Sequence, residues 1–177
     1  MKRSLAGLGV VVFLAVASAA GTVLAQGGSL ESRMSPSTTL PQTAWMKGEI
    51  LGDSAAERSA VAKVDTLLRE RGYVPEKFSP YAVRIEIRGA GVQPREVSIP
   101  QYNNAPGRLS LWNSAAAPDE VAVSLTLYHQ SSGRIYWQAE GVCRGLDASS
   151  IAAAMIVPMM DQFGRSTKTS LSCVRSS

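Results

Sequence analysis

The chain has 177 residues, 45% of them hydrophobic and 18% charged, which suits a globular protein with one core and leaves too little for two. Its formal net charge is +4, and setting aside Lys2 and Arg3, which fall in a segment read below as removable, leaves 16 basic residues against 14 acidic. That near-balance excludes a nucleic-acid binder relying on a broad basic face, and one histidine with two cysteines excludes most multi-ligand metal sites.

Residues 1–25 read as a secretory signal. Lys2 and Arg3 form the positive start, Leu5 to Val16 the apolar stretch, and Val23-Leu24-Ala25 a recognition triplet with cleavage before Gln26. The rival reading is an uncleaved anchor, because about 20 mainly apolar residues suffice to span a bilayer. Small residues through the second half favour cleavage, after which no stable membrane span is expected. No cysteine lies near the cut, so the expected product is a periplasmic or extracellular protein and not a lipoprotein.

Export sets how the cysteines read. Cys143 and Cys173, with 29 residues between them, suit neither a CxxC redox centre nor a zinc clip. An oxidising compartment lets such a pair close as a structural disulfide joining a strand end to the C-terminal tail. Two separate thiols are the alternative.

Residues 26–42 are rich in Gly, Ser, Thr and Pro without apolar periodicity, and they read as a flexible leader before a single domain over 43–177. Thr43 to Leu51 is a candidate strand with Trp45 and Ile50 as its bulky members. Ser54 and Glu57 then spell a capping box, and Ala60, Val61, Val64, Leu67 and Leu68 share one helical face up to Gly72.

Past Gly72 the period becomes two. Tyr81, Val83, Ile85 and Ile87 alternate with Arg84, Glu86 and Arg88, and Val121, Val123, Leu125 and Leu127 alternate with Ala122, Ser124, Thr126 and Tyr128. Ser131-Ser132-Gly133 connects to a third strand, where Ile135, Trp137 and Ala139 alternate with Tyr136, Gln138 and Glu140. Between Gly89 and Glu120 lies a long proline-containing stretch, with Glu96 to Ile99 and Arg108 to Trp112 as short strand candidates. Asp147 caps a final helix to about Phe163 that is apolar almost all round, and Pro158 is expected to kink or divide it. The predicted class is α+β: an antiparallel sheet of three to four strands with two helices packed on one face.

This order, together with Val64-Asp65-Thr66-Leu67-Leu68-Arg69-Glu70-Arg71-Gly72-Tyr73 and the hairpin from Leu125 to Gln138 with its Gly133-to-Trp137 spacing, resembles the bacterial envelope proteins grouped as domain of unknown function, type 4136. The resemblance covers about Ala44 to Phe163. It implies an envelope location and this α+β order, and it supplies no activity and no catalytic residue. Members are typically lipoproteins, and this chain departs from them in lacking the lipid-bearing cysteine.

Chemistry is sparse. His129 stands beside Ser131 and Ser132 at a hairpin tip, without the strained elbow or helix N-terminus of an oxyanion hole. Asp119 and Glu120 precede a strand as a solvated turn would, and Gly89-Ala90-Gly91 opens no helix. No catalytic set, metal site or cofactor is expected. Arg84, Arg88, Tyr128 and Tyr136 on the mixed strand faces, with Trp112 in the long stretch, form the candidate binding set, Tyr102 being a further possible anchor. Ordinary cross-strand pairing is the competing explanation for the four strand residues. The expected function is a non-enzymatic envelope binding or scaffold module whose partner is another envelope protein or a glycan. The alternative is a small secreted hydrolase with an unrecognised site.

Overall fold

A computed structural model describes residues 26–50, 52–89, 119–145 and 147–173. Eight elements follow in chain order: β1 (Gln26–Met34), β2 (Met46–Ile50), α1 (Ala55–Glu70), β3 (Tyr81–Gly89), β4 (Glu120–His129), β5 (Ile135–Arg144), α2 (Ala148–Asp161) and β6 (Thr167–Cys173). Among the described residues the strands form one six-stranded sheet in the order β2-β3-β4-β5-β1-β6. β2 runs parallel to β3 and the remaining pairs are antiparallel, so the sheet is mixed and wider than the expected three to four antiparallel strands.

The helices form as their sequences dictate. Ser54 caps α1, its side chain accepting from the Glu57 amide while Glu57 reaches back to the Ser54 amide, and Ala60, Val64, Leu67 and Leu68 are the buried stripe. Asp147 caps α2 through the Ser149 and Ser150 amides. The helix continues through Pro158 to Asp161 and is not divided by it. Both helices pack against the same face of the sheet. There Val83, Ile85, Val123, Leu125, Leu127, Trp137, Ile156, Met159 and Met160 are almost wholly excluded from solvent. Burial of each such side chain is worth about 1.5–3 kcal/mol, enough to hold the register of β3, β4 and β5.

Two segments depart from the sequence reading. Residues 26–34, expected within a flexible leader, are strand β1, hydrogen-bonded to β5 on one side and β6 on the other. Its composition hides it because β1 is held chiefly by backbone ladders, with Leu30 its buried hydrophobic side chain and Ser32 bonding to the Arg165 carbonyl at 3.0 Å. The expected C-terminal tail likewise contains β6, a polar strand that leans on β1 for the same reason.

The Cys143–Cys173 disulfide is present, with Cα atoms 5.8 Å apart. It joins β5 to β6, the two strands flanking β1, on the helix side of the sheet. Gly28 of β1 lies beneath it. A Cβ there would sit 2.4 Å from Cys173 Sγ, 2.9 Å from Cys143 Sγ and 2.4 Å from the Val142 carbonyl oxygen. Only glycine leaves room for the bridge to pass over the strand.

Candidate functional site on the polar face of the sheet

The face turned away from the helices is built by the alternate residues of all six strands. Register sets Arg84 opposite Thr126, Ala82 opposite Tyr128, Arg88 opposite Ala122, Ser124 opposite Glu140, and Glu140 opposite Glu31 of β1. Two ionic clusters result. In the first, Arg84 Nη2 donates to Tyr128 Oη at 3.0 Å and approaches Glu49 Oε2 of β2 at 3.4 Å, while its guanidinium lies 4.7 Å from the Tyr128 ring centre. The Tyr128 hydroxyl donates to the same Glu49 oxygen. Burial first, then this bond to a carboxylate, pushes the Tyr128 hydroxyl up to about 12, with Arg84 pulling the other way.

In the second cluster Arg88 Nη2 donates to Glu140 Oε1 at 3.0 Å. Glu140 faces Glu31, whose carboxylate also takes Arg33 and, at 3.7 Å, Lys168 of β6. Desolvation pushes the Glu140 carboxyl up to about 7. Arg88 opposes that rise and the Glu31 charge adds to it.

The expected site residues therefore divide. Arg84, Arg88 and Tyr128 lie on this face. Tyr136 does not stand beside Tyr128, contrary to its strand parity. The β4–β5 register shifts between Leu127 and Tyr128, so Ile135, expected beneath the helices, pairs with Tyr128. Tyr136 instead packs edge-on against Tyr81 at 5.5 Å, with Arg134 over its ring at 5.4 Å. One extra residue in β5 re-aims the side chains on either side of it. Trp112 and Tyr102 lie outside the described residues, as do the short strand candidates at 96–99 and 108–112.

The face is also more enclosed than an open sheet. Ala82, Ala122, Ser124 and Gln138 are buried, and the Arg84 side chain is only 11% exposed. Gln138 Nε2 donates to Thr126 Oγ1 at 3.3 Å. Charged residues here meet one another before they meet solvent, which is the outcome that ordinary cross-strand pairing predicts. Glu31, Glu49 and Glu140 were not singled out in the sequence. Glu140 falls in the right parity. Glu49 and Glu31 belong to strands whose alternation is too weak to assign a face.

An open groove of about 440 Å³ continues this face at the disulfide end, lined by Gly27, Gly28, Ser29, Val142, Glu120 and Arg144. Its volume lies in the range of small-molecule sites. Gly27, Gly28 and Ser29 of β1 line it, and Arg144 Nε stands 3.7 Å from Glu120 Oε1.

His129 takes part in a local turn. Its Nδ1 lies 3.1 Å from Ser131 Oγ and accepts from the Ser132 amide at 3.4 Å, and its ring meets Tyr81 edge-on at 4.9 Å. These contacts close the β4–β5 hairpin. Among the described residues no group of three or more His, Cys, Asp or Glu is placed to hold a metal ion, and no helix is long and apolar enough to cross a membrane.

No protein-family model matches the chain, and no curated protein matches it. Among solved structures it is similar to the PelC dodecamer from Paraburkholderia phytofirmans, at 16% identity over 79% of this chain and 99% of that one, with a TM-score of 0.44. A point variant of the same PelC gives 17% identity, coverage of 78% and 98%, and a TM-score of 0.43. A PDZ domain protein from Parabacteroides distasonis gives 11% identity, 84% of this chain against 40% of that one, and a TM-score of 0.46.

Proposed function

We propose that the chain is an exported module of the cell envelope that binds a partner, an envelope protein or a glycan, without performing chemistry on it. The observation that carries this reading is the groove of about 440 Å³ at the edge of a pre-organised polar sheet face. Arg144, 63% exposed, offers a guanidinium to an incoming ligand. The Arg84–Glu49 and Arg88–Glu140 pairs, with the neutral Tyr128 hydroxyl, then serve to hold β2 to β5 rigid beside it. Rigidity of this kind lowers the ordering cost of binding.

The disulfide supports export, since such bonds persist in oxidising compartments. A cut before Gln26 keeps every described residue, β1 included. The resemblance to the type 4136 envelope family is part of the same proposal. One observation favours the hydrolase alternative: a carboxyl at about 7 facing a second carboxylate is an arrangement used in acid–base catalysis. Both acids are bound to cations, however, Glu140 to Arg88 and Glu31 to Arg33 and Lys168.

Filling the groove tests the binding reading. Ser29→Trp and Arg144→Ala should leave the melting curve intact yet abolish capture of a component from envelope extract or of an envelope glycan. Unchanged capture by both folded variants removes the groove from the account.

A further inference from the structure

A different surface carries a second kind of contact. Of the four large hydrophobic residues that stand exposed among the described residues, three come from segments joined to one another: Trp45 at 54%, Val74 at 44% and Phe78 at 87%. Trp45, just before β2, and Val74, just after α1, form a parallel bridge, with Val74 N donating to the Ala44 carbonyl and Met46 N to the Val74 carbonyl. Phe78 comes from the turn that leads into β3. Lys47 Nζ donates to the Lys77 carbonyl at 3.2 Å, which ties the turn to β2.

The exposure of Phe78 is built in. The Ser79 amide donates to the Glu76 carbonyl at 3.1 Å, and Ser79 Oγ accepts from the Glu76 amide at 3.2 Å. Gln130 pins the same turn from the hairpin, its side chain donating to the Ser79 carbonyl at 2.8 Å and its amide to the Pro80 carbonyl at 2.8 Å. Pro75 and Pro80 stiffen the segment further. Ser79 is buried, so the turn is seated while its Lys77-Phe78 tip points outward. These bonds fix the backbone of the turn, and Phe78 stands exposed on it.

We propose that this tip is a peripheral contact for an anionic lipid surface. The chemistry is that of an interfacial anchor: a phenylalanine and a tryptophan to enter the headgroup boundary, with lysines beside them to meet lipid phosphates. Lys47 and Lys77 flank the aromatic pair, Lys77 sitting 5.5 Å from the Phe78 ring centre. Glu76 is the acid at the same turn, so the local balance stays basic. The contact needs no membrane-spanning helix and no lipid modification, and it is independent of the groove.

Trp45 supplies its own reporter. Trp137 is fully buried, so in the chain from Gln26 onward carrying Trp112→Phe the tryptophan that lipid can reach is Trp45. With phosphatidylglycerol vesicles carrying brominated acyl chains, Trp45 emission should be quenched, and phosphatidylcholine vesicles should quench it much less. Phe78→Ser should weaken the effect about tenfold. Lys47→Gln and Lys77→Gln should each weaken it about fivefold on the anionic vesicles and leave the neutral ones unchanged. Phe78 and Lys77 are exposed and Lys47 is half-buried, and an unchanged melting curve checks that each variant keeps the fold. Three results overturn the proposal. One is Trp45 unquenched while the chain is vesicle-bound or free. Another is quenching indifferent to Phe78→Ser. The last is an emission shift that follows protein concentration without lipid, which assigns the patch to a second copy of the chain.

Discussion

Glu140 shows how a single side chain registers its surroundings. Its carboxyl is raised from an ordinary 4.5 to about 7, chiefly by desolvation. Between those values the folded chain keeps a proton that the unfolded chain has lost, so this residue's contribution to stability falls as pH rises across the window. Glu140→Gln should therefore flatten the melting temperature against pH between 4.5 and 7, and an unchanged slope would show that Glu140 is ionised in the fold. Gly28 is the other residue with a sharp consequence. Gly28→Ala sets a methyl 2.4 Å from a backbone carbonyl that has no rotamer by which to escape. A loss of about 1–3 kcal/mol in denaturant unfolding is expected, with free thiol appearing in the purified protein. At this scale the sequence was readable where the neighbour is local, as in the Ser54–Glu57 box. It was silent where the neighbour is remote: Glu49 sits 79 positions from Tyr128, and nothing near either residue announces the bond.

Among the elements, legibility follows how each one is held. α1, α2 and the strands β3, β4 and β5 bury alternating or helical apolar sets, and that pattern is written in the chain. β1 and β6 bury little and depend on hydrogen-bond ladders, which any sequence can make, so a Gly-Gly-Ser segment passed for a leader. The bulge in β5 is also invisible to alternation, since one extra residue changes parity without changing composition, and it separated Tyr136 from Tyr128. The disulfide matters because it secures these weak strands. Cys173→Ser should cost about 3–4 kcal/mol by the loop-entropy account for a separation of 30. Hydrogen exchange should show the loss as opening of β6 and β1 ahead of the helices. Protection that falls uniformly over the sheet would mean that the bridge is not local to that edge.

The molecule as a whole gives the two faces of its sheet different characters. Two helices close one face of the sheet, paired charges order the other, the groove opens at the disulfide end, and the Lys77-Phe78 tip projects from the segment leading into β3. Such a layout is the one the proposed binding module requires. Site-specific photo-crosslinking in living cells tests that most directly. A photoreactive residue at position 29, inside the groove, is compared with one at position 63, on the exposed side of α1. The account predicts a discrete adduct from position 29, absent from position 63 and lost when Arg144→Ala is added. A folded, disulfide-bonded protein that yields no adduct at position 29, or the same adducts from both positions, contradicts it.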